Sequence, residues 1–306
     1  MRKPLSRRDV LVGLLAGSAP ATAANVCDHY DASNPPHAEG FEHESRTAGG
    51  RTHNLYWKGS GPAVFVLHEI PGLYRADIDL ARRIAKCGFT AYVPLFFGQP
   101  GDCHPWRNLL TKPFNPVSEF SYWLPRTPPA AEWLKPQLEF AHSKSGGKGV
   151  ALIGMCLTGS LPLAVISSPL VKATVLCQPT NPFLFPWLPD LSSKERDAVR
   201  TSTTAVLGFH FSHDHFSPEA RWKTLRGLLG ARLTEMIINS NKGNPGGVAT
   251  GAHSTLGGDG MGPAQEIAFQ LAIRYIDNRV SDPPTTKPYP DPQEPLPPGF
   301  VQPPKT

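Results

Sequence analysis

Short runs of consecutive apolar residues recur along the chain and predict buried β-strands. The clearest are Ala63–His68, Phe89–Pro94 and Val150–Ile153, each closely preceded by a glycine. Runs of this kind are typical of parallel strands that are covered on both faces of a sheet. The same reasoning predicts further strands at Thr52–Trp57, Ala173–Cys177, Thr203–Phe211 and Leu233–Asn239.

Segments with apolar residues at helical spacing lie between these strands. In Ala76–Cys87, for example, Ile78, Ala81 and Ile84 repeat every third position. Further helices are predicted at Ala130–Ser143, from Thr158 onward, at Pro218–Leu229 and at Pro263–Arg279. Strands that alternate with helices predict an α/β fold with a doubly wound, mostly parallel sheet.

Two stretches interrupt this alternation, and a third ends it. Residues 95–127 are rich in glycine, proline and aromatic residues, and we interpret them as a loop or partial lid over a site. A proline-rich loop also runs to Leu191. From Asp282 onward the prolines follow one another closely, which predicts a tail without a core. We therefore predict an α/β domain over residues 24–281 and a disordered, proline-rich tail over residues 282–306.

The N-terminus has the features of a cleaved export signal. Arg7 and Arg8 belong to a basic segment, a short apolar run follows, and Ala21-Thr22-Ala23 offers small residues for cleavage before Ala24. Ser6-Arg7-Arg8-Asp9-Val10-Leu11 resembles a twin-arginine export motif. The apolar run is far shorter than the roughly 20 residues that a membrane span needs. We predict a signal peptide over residues 1–23, an exported or periplasmic protein, and no membrane span.

Composition and charge exclude some classes of function. The 306 residues are 40% hydrophobic, which suffices for one sizeable core in a monomer. The net charge of +5 comes from scattered basic residues. Because no stripe of Lys and Arg alternates with aromatic residues, nucleic-acid binding is not predicted.

The chain has five cysteines, at positions 27, 87, 103, 156 and 177. An odd number in an oxidising compartment leaves at least one thiol unpaired or paired between chains. Cys27 and Cys103 both fall in predicted loops and could form a bridge, which the sequence does not settle. No CxxC or Cys/His spacing of metal-ligand type is present, so no metal site is predicted.

The sharpest local motif is Gly154-Met155-Cys156-Leu157-Thr158-Gly159, between a predicted strand and a predicted helix. A nucleophile on a tight strand-to-helix turn needs small neighbours, and the motif supplies them. The start of the following helix and a nearby imidazole would favour a thiolate at Cys156. The alternative for this motif alone is a buried structural cysteine.

Two further residues stand where a catalytic base and acid belong. His253 lies between the last predicted strand and the last helix, and Asp214 follows the end of a strand. The order nucleophile, acid, histidine is the one found in α/β-hydrolases. Each of these residues taken singly could be an ordinary surface residue, but together they predict a Cys156, Asp214 and His253 triad.

Four motifs together resemble the dienelactone hydrolase family of the α/β-hydrolases, over roughly residues 40–280. They are His68-Glu69-Ile70-Pro71-Gly72, the Cys156 motif, Ser212-His213-Asp214-His215-Phe216-Ser217-Pro218 and Ala252-His253-Ser254. The resemblance implies a hydrolase that cleaves a small-molecule ester or lactone through an acyl-enzyme, as a carboxylesterase of the carboxymethylenebutenolidase type. It implies neither a metal nor an organic cofactor.

The resemblance also implies a role for each matching residue. Cys156 would be the nucleophile, His253 the base, and Asp214 the group that orients the imidazole. Glu69 would lie beside Cys156 and help to switch the thiol to a thiolate; the alternative is a helix-capping or salt-bridged residue. The backbone amides of Ile70 and Leu157 would form the oxyanion hole.

One departure from the family concerns the substrate. The dienelactone-cleaving members hold the substrate carboxylate with two arginines, and the corresponding positions here carry Gln99 and Gly257. Arg75 or Arg107 could supply a charge from neighbouring loops. The sequence therefore predicts a substrate less acidic than a dienelactone, with Gln99 as a binding residue.

Two other classes of function compete with the hydrolase. A non-catalytic binding protein could retain the fold, but an intact triad argues against it. A thiol redox protein centred on Cys156 is the other candidate, and it lacks a nearby resolving cysteine in the sequence.

Overall fold

A computed structural model describes residues 38, 40–70, 72–101, 119–120, 127–180, 189, 191–257, 262–291 and 293–304. Within these residues the chain forms a nine-stranded sheet in the order β1-β2-β4-β3-β5-β6-β7-β8-β9. The strands are β1 Glu42–Ala48, β2 Arg51–Gly59, β3 Ala63–Leu67, β4 Thr90–Leu95, β5 Val150–Met155, β6 Val171–Cys177, β7 Val206–Phe211, β8 Leu233–Ile238 and β9 Phe300–Val301.

The six strands from β3 to β8 are parallel to one another, in the spatial order β4-β3-β5-β6-β7-β8. Antiparallel pairs extend the sheet at both edges, with β1 and β2 beside β4 and with β9 beside β8. Every residue of β3, β5 and β7 is buried. The continuous apolar runs in the sequence follow from this burial on both faces, and the predicted doubly wound, mostly parallel sheet is confirmed.

Helices cover both faces of the sheet. They are α1 Arg75–Lys86, α2 Pro129–Ser145, α3 Leu161–Ala164, α4 Ser193–Thr201, α5 Glu219–Leu229 and α6 Pro263–Val280. One core lies between the sheet and α1 and α6, and a second lies between the sheet and α2 to α5. No helix in the described part of the chain is both long and apolar enough to cross a lipid bilayer.

The segment after β5 departs from the prediction of a regular helix from Thr158. A 3-10 turn, Cys156–Thr158, is followed only by the single turn of α3. Pro162 stands in the first turn of α3, where its ring lies against Gly154. A helix of one turn contributes little dipole, so the electrostatic environment of Cys156 depends on side chains.

Several predictions concern residues outside the described ranges. They include the signal peptide over residues 1–23, a bridge between Cys27 and Cys103, Arg107, and most of the lid interpreted at 95–127. Within that lid, Glu119 and Phe120 are described as helical and buried. The Glu119 carboxylate lies 3.2 Å from His53 Nε2 of β2, so this part of the insertion packs on the domain.

The C-terminal segment corrects the prediction of a disordered tail without a core. Its strand β9 pairs with β8 through the register Ile237↔Val301 and Ile238↔Phe300. Tyr289 and Phe300 are each only 8% exposed and belong to the core beneath α6. These two aromatic residues make the packing of the segment favourable. The high proline content around them led to the prediction of a tail without a core.

Polar contacts also bind this segment to α6. Asp277 Oδ2 accepts hydrogen bonds from the backbone amides of Thr285 (2.7 Å) and Thr286 (2.6 Å). Arg274 donates to Glu294 at 3.0 Å, and Arg279 donates to the Tyr289 carbonyl at 3.0 Å. Residues 282–291 and 293–301 therefore form part of the folded domain.

Truncation after Ser281 should consequently destabilise the protein. Loss of two buried aromatic side chains costs about 3 to 6 kcal/mol as an upper estimate. At ~2–4 °C per kcal/mol, the Tm measured by circular dichroism should fall by roughly 6 °C or more. A matched truncation that removes only residues 303–306 should leave the Tm unchanged. Equal Tm values for both truncations would contradict the packing of this segment.

Candidate active site

The predicted site residues converge where parallel strands end at one edge of the sheet. The β3–β5 register pairs Leu67 with Gly154, and the β5–β6 register pairs Met155 with Cys177. The segments that follow β3, β5, β6 and β7 therefore meet at their carboxyl ends, which is where open α/β sheets place their ligand sites.

Cys156 occupies a strained turn directly after β5. Its φ is 51°, in the left-handed region that residues other than glycine rarely adopt. A Cβ built on Gly154 would lie 2.6 Å from Pro162 Cδ, and one built on Gly159 would lie 2.4 Å from Pro179 Cα. The two glycines are thus required by close approach, and the tight turn presents a cysteine that is 8% exposed.

Thr158 fastens this turn to the neighbouring strand. Its hydroxyl donates to the Leu67 carbonyl of β3 at 2.9 Å and accepts from the Met155 amide at 3.1 Å. The Cys156 carbonyl in turn accepts the Thr180 amide at 2.7 Å. Hydrogen bonds from both sides therefore fix the position of the cysteine relative to the loops after β3 and β6.

Asp214 and His253 form a hydrogen-bonded pair. His253 Nδ1 lies 2.7 Å from Asp214 Oδ2, which makes Nδ1 the donor to the carboxylate. The other oxygen, Oδ1, accepts the backbone amides of Phe216 (2.9 Å) and Ser217 (3.1 Å). With each oxygen assigned to its own partner, the carboxylate is held rigidly and Nε2 of the imidazole is left to face the site.

The surroundings of His253 favour its charged form. Burial lowers its pKa, but Asp214 and the Cys156 side chain act in the opposite direction, and the net pKa lies well above the usual range. The Phe216 ring packs edge-on against the imidazole with centroids 5.3 Å apart. The imidazole thus interacts with the acid at Nδ1 and with the cysteine side chain, and an imidazolium there would stabilise a thiolate.

Glu69 lies in the site with a different set of partners from the expected one. Its Oε1 accepts hydrogen bonds from Gln178 Nε2 at 2.6 Å and from Ser254 Oγ at 3.0 Å. The carboxyl is 5% exposed, and burial raises its pKa, whereas the charge of His253 and these two hydrogen bonds oppose the rise. The carboxyl is therefore tied to the loop that carries His253.

A buried histidine orients the peptide that carries the Ile70 amide. Phe96 N–H donates to His68 Nε2 at 3.1 Å, so the proton of the neutral ring resides on Nδ1 and is donated to the Glu69 carbonyl at 2.9 Å. Complete burial lowers the pKa of His68 to about 4, which keeps this tautomer neutral. In a trans peptide the carbonyl and the amide point in opposite directions, so the Ile70 N–H is held as well.

Gln99 and Gly257 stand at the two positions where the family resemblance leads us to expect arginine. Gln99 follows β4 and is exposed. A Cβ built on Gly257 would lie 3.5 Å from Ser254 Oγ and 3.9 Å from Ala76 Cβ. The adjacent Arg75, at the start of α1, is 62% exposed and lies 3.5 Å from Asp79. Arg75 directly precedes Ala76, the residue beside which a side chain at position 257 would lie.

Sequence reasoning missed the polar residues that support this arrangement. Gln178, Thr180 and Thr255 are all buried at the ends of loops around His253. Gln178 also has a positive φ of 34°. A glutamine directly after a buried apolar strand was the one available signal, since such a polar side chain needs buried partners.

The donor chemistry of the site suits proton transfer and nucleophilic attack. Among the residues that the structure describes, no group of three or more His, Cys, Asp or Glu side chains could hold a metal ion. The arrangement provides one thiol, one imidazole with a fixed tautomer, one orienting carboxylate and two backbone amides near the elbow. These are the components of acyl transfer to a nucleophile.

The fold is that of the α/β hydrolases. A cold-adapted esterase from an Arctic intertidal metagenomic library matches 65% of this chain and 84% of its own, with 16% identity and a TM-score of 0.50. The acylaminoacyl peptidase of Pyrococcus horikoshii matches 83% of this chain and 44% of its own, with 11% identity and a TM-score of 0.55.

The chain belongs to the dienelactone hydrolase family, whose model matches residues 53–245. It is also 30% identical over 122 residues to a Yersinia pestis protein named "Putative carboxymethylenebutenolidase". That match covers 38% of this chain and 43% of the relative, so the chain matches less than half of the curated relative's length. The family resemblance inferred from the four sequence motifs is therefore confirmed.

The close approach at the elbow predicts the effect of adding one methyl group. Gly159→Ala should destabilise the protein by about 1–3 kcal/mol, because the new Cβ would overlap Pro179. Gly227→Ala in α5 is the matched control, since its Cβ would enter open space and alanine favours a helix by about 0.5–1 kcal/mol. Urea unfolding of both variants measures the difference. A Gly159→Ala variant as stable as the wild type would rule out this account of the turn.

Proposed function

We propose that this protein is a hydrolase that cleaves a carboxylic ester or lactone through a covalent acyl-enzyme on Cys156. One observation carries the proposal: a cysteine on a strained turn interacts with an imidazole that is hydrogen-bonded to a buried carboxylate at 2.7 Å. Family membership supports the same class of chemistry. No metal or organic cofactor takes part in the steps below.

The first half-reaction forms a thioester. Cys156 Sγ attacks the carbonyl carbon, and the negative charge that develops on the carbonyl oxygen is stabilised by the amides of Leu157 and Ile70. The tetrahedral intermediate collapses with cleavage of the C–O bond, and the departing alkoxide takes the proton from His253 Nε2. Asp214 stays ionised throughout and stabilises the imidazolium.

The second half-reaction consumes one water molecule. His253 Nε2 accepts a proton from the water as its oxygen attacks the thioester carbonyl. The C–S bond then breaks, the carboxylic acid leaves, and the sulfur returns to its pairing with the imidazolium. Thr180 Oγ1, 3.4 Å from His253 Nε2, lies beside the path of this proton.

The charge of the substrate is inferred from the two positions that carry no arginine. Gln99 offers an amide in place of a guanidinium, and Gly257 leaves room beside Ala76 instead of a charge. A buried carboxylate without a cation costs several kcal/mol. We therefore propose a neutral ester or lactone as substrate, with Gln99 as a hydrogen-bonding residue.

The remaining proposals concern location and assembly. The basic segment, the short apolar run and Ala21-Thr22-Ala23 support removal of residues 1–23 during export. Scattered charge and the absence of a basic aromatic stripe in the sequence support a small-molecule substrate over a nucleic acid. We propose that the mature protein acts as an exported monomer.

Substitution of the nucleophile tests the central proposal. Cys156→Ala should lower kcat for p-nitrophenyl acetate by several orders of magnitude, because no other group on the turn can form the acyl-enzyme. Cys87→Ala, which removes an exposed thiol at the end of α1, should retain wild-type kcat. Stopped-flow absorbance gives both rates, and hydrolysis near the wild-type rate by Cys156→Ala would refute the proposal.

A substrate pair tests the specificity. A neutral short-chain lactone should have a kcat/KM at least about tenfold higher than that of its carboxylate-bearing counterpart. A tenfold factor corresponds to about 1.4 kcal/mol, which is the free energy expected to be lost when the substrate carboxylate has no cationic partner. Arg75→Gln should not change this ratio if Arg75 makes no contact with the substrate. A preference for the carboxylate that disappears in Arg75→Gln would show instead that Arg75 supplies the missing charge.

A further inference from the structure

Gln178 combines burial, strain and polarity at a position that the steps above do not use. It directly follows β6, is 0% exposed, and has a φ of 34°. A residue other than glycine in this region costs of order 1–3 kcal/mol and persists only where its surroundings hold it. Its backbone amide donates to the Phe209 carbonyl of β7 at 2.7 Å, which is one such constraint.

The partners of the side chain determine its orientation. The Thr255 backbone amide can only donate, so the Gln178 atom 3.1 Å from it is the oxygen Oε1. The Thr255 hydroxyl also donates to this oxygen. The nitrogen Nε2 must therefore point the other way, where it donates to Glu69 Oε1 at 2.6 Å. Gln178 thus bridges the loop after β3 and the loop that carries His253.

The loop that carries His253, residues 249–257, contains neither a helix nor a strand. Hydrogen bonds to other parts of the chain fix it at the histidine and at the two residues that follow it. Asp214 holds the imidazole itself, Glu69 accepts from Ser254, and Gln178 accepts from Thr255. Because Glu69 is itself held by Gln178, two of these three attachments depend on one glutamine.

We propose that Gln178 is a positioning residue that keeps the His253 imidazole against Cys156 by holding Glu69 and Thr255 together. This role rests on the proposed function, since it gives the glutamine a part in acyl transfer. It also gives Glu69 a structural task in the resting enzyme, as the acceptor that anchors Ser254. Gln178 itself touches neither substrate nor the reacting atoms.

The first test removes the amide while keeping most of the volume. Gln178→Leu should lower kcat for p-nitrophenyl acetate by about 10- to 100-fold, the scale expected for a catalytic group misplaced by about 1 Å. The KM should change by less than about threefold. Thr174→Val in β6, the strand that Gln178 follows, is the matched control, because its buried hydroxyl has no hydrogen-bond partner among the described residues. The control should keep the wild-type kcat.

A second readout requires no substrate. Iodoacetamide modification of Cys156 at pH 7, followed by peptide mass mapping, reports how well His253 pairs with the thiol. Gln178→Leu should slow this modification at least about fivefold, since a displaced imidazolium stabilises the thiolate less. Modification of the exposed Cys87 in the same sample should be unchanged, which makes it an internal control.

A third test uses the isosteric variant Gln178→Glu. The introduced carboxyl can donate to Glu69 only while the two carboxyls share a proton, which they lose as the pH rises. The ratio of its kcat/KM to that of the wild type should therefore fall as the pH increases. The other titratable groups facing this pair are Asp77, Asp214, His253, Cys156 and Cys177, and they are present in both proteins, so the ratio isolates the new carboxyl.

The outcomes separate the two proposals. Wild-type kcat and wild-type Cys156 modification in Gln178→Leu would overturn the positioning role, as would a pH-independent ratio for Gln178→Glu. If the wild type hydrolyses no ester, the proposed function fails, and the modification rates alone then decide on Gln178. If Gln178→Leu does not fold, the isosteric variant and its pH profile give the decision.

Discussion

The backbone turns sharply at Cys156, and the neighbours of this turn connect it to the end of β3 and to the loop after β6. Gly154 and Gly159 allow Pro162 and Pro179 to approach the chain more closely than any side chain would permit. Hydrogen bonds from Thr158 and Thr180 tie the turn to the ends of β3 and β6. The loops after β3 and β6, which carry Glu69 and Gln178, are thereby held beside the turn, and these two residues in turn hold the loop that carries His253.

Buried charge is the second feature on which the site depends. The charge of Asp214 raises the pKa of Glu69, the charge of Glu69 raises the pKa of Asp77, and all three carboxyls are buried. Burial raises the pKa of Glu69 and, together with the neighbouring Glu69 charge, that of Asp77. Hydrogen bonds from backbone amides and from the Gln178 amide, together with the charge of the His253 imidazole, offset part of the free energy that burial of these carboxylates costs. Buried charges without such partners would destabilise the fold strongly, which explains why the supporting residues are also buried and polar.

The sheet edges are closed in two different ways. At one edge the hairpin of β1 and β2 presents the exposed residues Glu42–Ser45, and the charges of Glu42 and Glu44 discourage pairing with another chain. At the other edge the proline-rich segment adds β9 beside β8 and buries Tyr289 and Phe300 under α6. Proline restricts where a segment can pair but does not prevent a two-residue strand from forming where its amides are free to donate.

The linear pattern alone determined most of the parallel sheet, its helices and three site residues. Buried strands and amphipathic helices have local periodicities. Cys156 and Asp214 follow predicted strands and His253 lies in the predicted loop before the last helix, so short-range signals sufficed to single them out. Tertiary structure alone decided the one-turn helix after Cys156, the partners of Glu69, the bridging role of Gln178 and the packing of residues 282–301. Each of these depends on contacts between residues far apart in the chain, such as Gln178 with Glu69 or Phe300 with Ile238. Steric overlap and hydrogen-bond pairing at such distances leave no periodic trace in the sequence.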